Sequence, residues 1–282
     1  MRWCILILLA LALAACGRAA ETTPGAVEAT TVALAPAATD TPTEPAPTAT
    51  ETAAVEPIDA GGVSPVGSVE EMTVEAADGL PIRATLLAPL TSGADPGVIL
   101  LHMLGDDGTV WGEVGLAADL VAAGYAVLIV DMRGHGQTGG AADWTLAADD
   151  LGRVWDAFAA LETVDEARTA VVGASIGANM ALRLGAARPD VRTVVLLSPG
   201  LDYRGVTTED QLAAYGDRPL LLVASEDDAY SADSVRALAE PAGAATVQMY
   251  EDAGHGTNMF AAVPELGALI IGWLDEHTAA NP

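Results

Sequence analysis

One serine stands in a spacing that suits nucleophilic catalysis. Residues 171–177 read Val-Val-Gly-Ala-Ser-Ile-Gly, so that Ser175 lies between Gly173 and Gly177 in a G-x-S-x-G pattern. A β-branched run precedes this pattern and a helix-forming run follows it, which predicts a tight strand–turn–helix junction that projects the serine hydroxyl into a site. Glycine two residues to either side lets the neighbouring strand and helix approach the turn without a clashing side chain. We therefore interpret Ser175 as a candidate nucleophile.

The elements that must position this serine alternate along the chain. A turn at Asp78-Gly79 is flanked by two alternating runs that predict an antiparallel hairpin, at residues 69–77 and 82–87. Six apolar runs typical of buried strands follow, at residues 98–102, 126–131, 170–174, 193–197, 220–224 and 246–250. Helical segments lie between and after them, at residues 110–123, 146–161, 178–187, 232–240 and 259–277. This order predicts an α/β fold with a mainly parallel sheet of about eight strands and helices on both faces.

These features together resemble the α/β-hydrolase family, over residues 70–277. In that family the catalytic triad follows the chain order serine, acid, histidine. The histidine lies in the loop between the last strand and the last helix, and His255, in the run Glu-Asp-Ala-Gly-His-Gly, stands in that place. The resemblance therefore implies that Ser175 is the nucleophile and that His255 is the general base.

The acid of the triad has several candidates. The run Ser-Glu-Asp-Asp at residues 225–228 follows a predicted strand and resembles the G-x-x-D of the family, which favours Asp228. Asp227 would serve if the register slipped by one residue. Glu226 is a further candidate, and so is Asp202, which follows the preceding strand. The acid would orient the imidazole and stabilise its charged form.

The resemblance also implies two backbone donors for the oxyanion of a tetrahedral intermediate. The first is the N–H of Ile176, the residue after the nucleophile. The second is expected after the strand at 98–102, where His102-Met103-Leu104 matches the H-G-x of the family and makes Leu104 the donor. Met103 replaces a glycine there and resists a positive φ, so we expect the shape of this loop to differ from that of the family.

Composition narrows the possible partners. The formal net charge is −27, and all 12 basic residues are arginine. This balance argues against nucleic-acid binding, which needs a basic face. The acidic pairs at 106–107 and 149–150 have no histidine or third carboxylate at ligand spacing, so we expect no metal site. The glycines between 134 and 140 do not form a phosphate-binding pattern, and we expect no cofactor.

The N-terminus has the pattern of an export signal. Arg2 precedes 13 apolar residues, 3–15, a length typical of a signal peptide and too short for a bilayer span. The run ends Leu-Ala-Ala-Cys-Gly, which resembles the lipobox of bacterial lipoproteins and implies cleavage before Cys16 and lipidation of its thiol. The alternative is an ordinary secretory signal cut near Ala15. The expected location is therefore extracytoplasmic, with the membrane contacted through a lipid anchor at Cys16.

Three regions follow from these observations. Residues 1–15 are the predicted signal peptide. Residues 16–67 form a predicted disordered tether that holds seven of the 16 prolines and is rich in threonine, alanine and glutamate. Residues 68–282 form the predicted catalytic domain.

The resemblance implies a serine hydrolase of the dienelactone-hydrolase and small serine-esterase branch. It would cleave carboxylic esters with small or accessible acyl groups through an acyl-enzyme intermediate. The stretch at 198–219 leaves room for a small lid at most, which predicts an open or shallow site. A peptidase or acylaminoacyl-type hydrolase is one alternative function. A non-catalytic binding lipoprotein on the same scaffold is another.

Overall fold

The computed structural model of the protein describes residues 67–280. The predicted signal peptide, Cys16 and the predicted tether up to residue 66 lie outside the described residues, so the three predicted regions stay predictions.

The described chain alternates strands and helices as the sequence predicted. Its ten strands are β1 (Gly67–Glu75), β2 (Pro81–Pro89), β3 (Asp95–Leu101), β4 (Ala126–Asp131), β5 (Val164–Ala174), β6 (Val191–Leu197), β7 (Asp202–Tyr203), β8 (Val206–Thr207), β9 (Leu220–Ser225) and β10 (Ala245–Tyr250). Its eight α-helices are α1 (Val110–Glu113), α2 (Leu116–Ala122), α3 (Trp144–Ala159), α4 (Ile176–Ala187), α5 (Glu209–Tyr215), α6 (Ala229–Ala239), α7 (Met259–Ala262) and α8 (Leu266–Thr278).

Eight strands form one sheet in the order β1-β2-β4-β3-β5-β6-β9-β10. β2 runs antiparallel to β1 and to β4, and all other neighbours are parallel. The hairpin predicted around Asp78-Gly79 is present, and Gly79 adopts the positive φ of 83° that its turn requires. The prediction of a mainly parallel sheet of about eight strands is confirmed.

The core lies in two apolar layers, one on each face of the sheet. Alternate residues of a strand point to opposite faces. Ile99 and Leu101 accordingly pack in one layer, with residues of α3, α4 and α6, whereas Val98 and Leu100 pack in the other, with residues of α2 and α8. All four side chains are fully buried, which explains why β3 reads as a continuous apolar run.

Two predicted helices are interrupted in the structure. The helix predicted over 110–123 is two helices, because Gly115 has a φ of 81° and caps α2 in a left-handed conformation. The helix predicted over 259–277 is also two, because Pro264 lies between α7 and α8 and lacks the N–H that a continuous helix would need.

Residues 198–219 contain two short strands and a helix that were not predicted from the sequence. The short strands β7 and β8 pair as an antiparallel hairpin, and the seven-residue helix α5 follows them. Of residues 67–280, no single helix is both long and apolar enough to cross a membrane. The one consecutive pair that reaches this length together, Gly256–Ala262 and Leu266–Thr278, is bent by 116°.

Candidate active site

Ser175 occupies a strained turn between β5 and α4. Its φ is 55° and its ψ −121°, a conformation that costs energy for any residue with a side chain. Its N–H donates to the carbonyl of Leu197 at 2.8 Å, which fixes the turn against the end of β6. The residue is 7% exposed and directly follows the last residue of β5, at the carboxyl edge of the sheet.

The two flanking glycines are required by close backbone approaches. A Cβ on Gly173 would lie 2.1 Å from the carbonyl oxygen of Gly177. A Cβ on Gly177 would lie 2.4 Å from the carbonyl oxygens of both Leu101 and His102. Since these obstacles are backbone atoms of the sheet and the turn, they cannot move aside as a flexible side chain would. The G-x-S-x-G spacing is therefore a packing requirement of the junction.

Asp228 and His255 form a close pair at the same edge. The Nδ1 atom of His255 lies 2.6 Å from an Asp228 carboxylate oxygen. The Asp228 side chain is 17% exposed and that of His255 is 36% exposed. Asp228 follows β9 and also caps α6, because its other oxygen accepts from the N–H of Ser231 at 3.4 Å. With Nδ1 bonded to the carboxylate, Nε2 is the nitrogen that can exchange a proton with other groups.

The other three candidate acids have different partners. Asp227 accepts hydrogen bonds from the hydroxyl of Ser225 and, at 3.2 Å, from the N–H of Gly254. The Ser225 hydrogen bond lowers the pKa of Asp227. Glu226 pairs with Arg236, and Asp202 accepts from the N–H of Gly205 at 2.7 Å within the β7–β8 turn. Among these four carboxylates, only that of Asp228 contacts His255.

A second serine, Ser198, connects the nucleophile turn to the histidine loop. It lies at the end of β6, is fully buried and has a strained φ of 51°. Its hydroxyl oxygen accepts from the N–H of Gly256 at 2.8 Å. A Cβ on Gly256 would lie 3.9 Å from the backbone nitrogen of Ser175, so this hydrogen bond holds the residue after His255 beside the nucleophile. Ser198 was not predicted from the sequence, where its only signal is its place at the end of a predicted strand.

The loop after β3 is fixed by His102 rather than by a glycine at position 103. The Nε2 atom of His102 accepts from the N–H of Met132 at 3.1 Å, so Nδ1 carries the hydrogen and donates to the carbonyl of Met103 at 2.8 Å. Burial lowers the pKa of His102 and favours this neutral form. The left-handed residue of the loop is Gly105, with a φ of 88°, and Met103 has no positive φ.

The two predicted oxyanion donors follow the carboxyl ends of two neighbouring parallel strands, β3 and β5. Ile176 is the first residue of α4, so its N–H has no acceptor within the helix. Leu104 follows Met103 in the β3 loop and is 43% exposed. The sulfur of Met103 lies 3.6 Å from the Thr257 hydroxyl, which brings this loop against the segment that carries His255.

One further side chain enters the site from the β7–β8 hairpin. The ring of Tyr203 meets that of His255 edge-on, with 6.3 Å between centroids and 88° between planes. Its hydroxyl lies 3.0 Å from the hydroxyl of Ser231. Tyr203 was not predicted from the sequence, because a two-residue strand has too few residues for a periodic pattern. Residues 198–219 were predicted only as a small lid at most.

Three of the four aspartates considered as metal ligands have structural partners. Asp107 accepts from the N–H and the hydroxyl of Thr109, Asp149 pairs with Arg153, and a third carboxylate, that of Asp150, is bound by Arg133. In the part of the chain that the structure describes, no group of three or more histidine, cysteine, aspartate or glutamate side chains is placed to hold a metal ion.

Comparisons with known proteins support the architecture. A family profile described as Hydrolase_4, serine aminopeptidase S33, matches residues 94–215. Lipase LipV of Mycobacterium tuberculosis is 32% identical over 145 residues, which are 51% of this chain and 52% of the lipase. An uncharacterized protein of the same organism is 30% identical over 140 residues, 50% of this chain and 48% of its own length. The chain thus spans about half the length of the curated relatives it matches.

Solved structures match over most of the described residues. An esterase of Pyrococcus furiosus superposes with a TM-score of 0.65 at 17% identity, covering 79% of this chain and 97% of the esterase. A dienelactone hydrolase of Anabaena variabilis superposes with a TM-score of 0.62 at 20% identity, covering 75% of this chain and 99% of the hydrolase. The strand order, the strained serine turn and these likenesses lead to one conclusion: the chain has the α/β-hydrolase fold.

Proposed function

We propose that the protein is a serine hydrolase that cleaves carboxylic esters through an acyl-enzyme intermediate, with Ser175, His255 and Asp228 as its triad. The observation that carries the proposal is the 2.6 Å pair of His255 and Asp228 at the same sheet edge as the strained Ser175 turn. A carboxylate bound to Nδ1 fixes the imidazole with Nε2 available, which is the arrangement a general base for serine needs.

The reaction would proceed in two symmetric steps. His255 takes the proton of the Ser175 hydroxyl while the serine oxygen attacks the ester carbonyl, and the N–H groups of Ile176 and Leu104 bind the oxyanion. His255 then donates that proton to the departing alcohol, which leaves an acyl group on Ser175. Water enters, gives a proton to His255 and attacks the acyl carbonyl. Return of the proton to the serine oxygen releases the carboxylic acid.

The short insertion supports small or accessible acyl substrates. Between β6 and β9 the chain adds only the β7–β8 hairpin and the seven-residue α5, and neither forms a large cap domain. Three of the similar proteins carry the names lipase, esterase and dienelactone hydrolase. Ester cleavage is therefore the first activity to measure.

The test is hydrolysis of p-nitrophenyl acetate by the wild type and by Ser175→Ala. We expect turnover by the wild type and a loss on the order of 10⁶ in kcat for the variant, as for deletion of a triad nucleophile. Ser64→Ala, a change in the predicted tether, is the matched control and should keep wild-type kcat. Near-wild-type activity of a folded Ser175→Ala protein would contradict the proposal.

A peptidase is the second candidate, favoured by the family profile described as serine aminopeptidase S33. Amides are cleaved by the same triad chemistry, so the two functions differ in their leaving groups rather than in Ser175. Aminoacyl p-nitroanilides and p-nitrophenyl esters of the same acyl group separate them. If the protein is an esterase, the ratio of kcat/KM for the ester to kcat/KM for the anilide should exceed the ratio of their uncatalysed hydrolysis rates. A ratio below that of the uncatalysed rates would favour the peptidase. A folded protein that binds such esters but cleaves neither compound would instead be a binding lipoprotein.

The location is also a proposal. We infer from the lipobox-like run ending at Cys16 that the protein is exported and held at the outer side of a bacterial cell membrane by lipid on that cysteine. Cys16→Ser should move the protein out of the membrane fraction or leave it unprocessed, whereas Cys4→Ser, in the predicted signal peptide, should not. Unchanged lipid labelling of the Cys16→Ser protein would rule out that residue as the attachment site.

A further inference from the structure

The carboxyl end of β6 contacts both the nucleophile turn and the histidine loop. The carbonyl of Leu197, the last residue of β6, accepts from the N–H of Ser175 at 2.8 Å. The hydroxyl oxygen of the next residue, Ser198, accepts from the N–H of Gly256 at 2.8 Å, and Gly256 directly follows His255. Two consecutive residues therefore hold the proposed nucleophile and the residue after the proposed base.

Ser198 is itself fixed to its surroundings. Its N–H donates to the carbonyl of Val223, in β9, at 2.7 Å. Its carbonyl oxygen accepts from the hydroxyl of Tyr203 at 3.4 Å, and the residue is fully buried. Because its backbone is bonded to a neighbouring strand and to the β7–β8 hairpin, the hydroxyl of Ser198 has a fixed position relative to the sheet.

The contact with Gly256 lies on a different side of His255 from the other contacts of this loop. The two residues before His255 donate their N–H groups to Ser225 and Asp227, at 2.8 and 3.2 Å. Both acceptors lie at the end of β9 and in the loop that leads to the acid, so they orient the histidine relative to its carboxylate. The Ser198 contact joins the loop to β6, the strand that also holds the nucleophile turn.

The backbone of Ser198 is strained in this position. Its φ of 51° lies in the left-handed region that favours glycine. Most described residues with a positive φ are glycine, and Ser198 is one of three that are not. Such conformations persist where the surrounding structure fixes them, and they cluster at functional sites. Glycine would relieve the strain at this position but would remove the hydroxyl that binds Gly256.

We propose that Ser198 is a positioning residue, whose hydroxyl holds His255 at the distance from Ser175 that proton transfer needs. The inference rests on the proposed serine-hydrolase function. Ser198 keeps its own proton and takes no part in making or breaking bonds. It acts through the position of the His255 Nε2 atom, because a general base must lie within hydrogen-bond reach of the proton that it takes.

The direct test is Ser198→Ala, which removes the hydroxyl and keeps the Cβ. The N–H of Gly256 then loses its acceptor, and the segment that carries His255 can shift. A misplacement of about 1 Å can lower a rate about 10²-fold, so we expect kcat for p-nitrophenyl acetate to fall roughly 10- to 100-fold. KM should change little, because the lost contact does not bind substrate. The rate of reaction with a fluorophosphonate should fall by a similar factor.

Ser198→Gly separates this effect from a loss of stability. Both variants lack the hydroxyl, but only glycine relieves the φ of 51°. Ser198→Gly should therefore melt about 2–4 °C above Ser198→Ala, whereas its kcat should be as low. Arg204→Gly is the matched control, since Arg204 has a φ of 55° in the exposed β7–β8 turn. It should raise the melting temperature by a similar amount and keep the wild-type kcat.

A double-mutant cycle tests whether Ser198 acts through His255. The residual activity of His255→Ala comes from the oxyanion donors and from substrate binding. Without the imidazole there is no base for Ser198 to position, so the double variant Ser198→Ala, His255→Ala should be no slower than His255→Ala alone. A residue that held the whole site together would lower this residual rate further.

The outcomes are distinct. Wild-type kcat in a folded Ser198→Ala protein would overturn the role of Ser198 and leave the proposed function standing. Recovery of wild-type kcat in Ser198→Gly would also overturn it, and this arm decides the matter if Ser198→Ala does not fold. A further loss in the double variant would overturn it as well. A folded wild type that neither hydrolyses esters nor reacts with the fluorophosphonate would overturn the proposed function, and the role of Ser198 with it.

Discussion

At the scale of single residues, the adjacent aspartates Asp227 and Asp228 have different hydrogen-bond partners in this site. Asp228 bonds His255 and caps α6, whereas Asp227 holds the loop before His255 through the N–H of Gly254 and the hydroxyl of Ser225. A shift of one residue in the register would exchange these contacts, so the pair offers a sharp test of the site.

We expect Asp228→Asn to reduce kcat by about 10⁴, since an amide can present its N–H₂ to Nδ1 and favour the wrong tautomer of His255. Asparagine also caps helices well, so α6 and the fold should persist. Asp227→Asn and Asp202→Asn should lose far less. Measured kcat values of the three variants, each shown to be folded by circular dichroism, decide the assignment. A large loss in Asp227→Asn with a small loss in Asp228→Asn would contradict it.

Ser175, Asp228 and His255 were predicted as site residues because each stands in a short motif next to a predicted strand end. Ser198 and Tyr203 were not predicted, because their places in the site depend on contacts with residues far along the chain: Ser198 bonds Gly256, and Tyr203 meets His255. The spacing of residues along the chain does not predict such long-range contacts. Ser198 has a strained φ of 51°, and Tyr203 lies in a hairpin of two two-residue strands. Neither conformation follows from the local sequence alone.

At the scale of elements, the strand–turn–helix junction depends on its glycines. Gly177→Ala would place a Cβ 2.4 Å from two backbone oxygens of the β3 end, and we expect a loss of roughly 1–3 kcal/mol or more in the free energy of unfolding, with a loss of activity. Gly272→Ala is the matched control. Gly272 lies on the exposed face of α8, and a Cβ added there would have no neighbouring atom within 4 Å. It should stabilise by about 0.5–1 kcal/mol.

Urea unfolding measures both changes, as shifts of the midpoint at constant m-value. A Gly177→Ala protein as stable and active as the wild type would mean that the junction has room for a side chain, contrary to the structure.

Element boundaries were harder to predict than element types. Seven of the eight strands of the main sheet were predicted within three residues at each end, and full burial on both faces explains the continuous apolar runs of β3, β4 and β9. β5 begins at Val164, six residues before its predicted start, because residues 165–168 are mostly polar and at least partly exposed. The helices at 110–123 and 259–277 were predicted as single, since their apolar spacing continues across Gly115 and Pro264. A glycine can stay within a helix or end one, and the tertiary position of the following segment decides which.

At the scale of the whole molecule, a buried arginine joins distant parts of the chain. Arg133 is 6% exposed and donates to both oxygens of Asp150, on α3, at 2.7 and 2.9 Å. It also donates to both oxygens of Asp78, in the β1–β2 turn, at 2.7 and 3.0 Å. The Arg133 hydrogen bond is the first cause that lowers the pKa of Asp78, to about 2.

This lowered pKa predicts a pH-dependent part of the stability. A carboxyl with a folded-state pKa below its unfolded value stabilises the fold above the unfolded pKa, and this contribution is lost as the pH falls through the folded pKa. The difference in melting temperature between the wild type and Asp78→Asn should therefore be constant above about pH 5 and shrink between about pH 4 and 2. Asp149→Asn, which removes an exposed pair with Arg153, should show a small difference. A difference for Asp78→Asn that does not change with pH would contradict the assignment.

If the proposed triad is right, Ser175 is an activated nucleophile in the folded protein. The most direct measurement is reaction with a fluorophosphonate followed by intact-mass and peptide mass spectrometry, with Ser175→Ala and heat-denatured protein as controls. We expect one added phosphonyl group on the folded wild type, carried by the peptide that contains Ser175, and none on either control. A folded wild type that stays unmodified, or one that is modified at another residue, would contradict it.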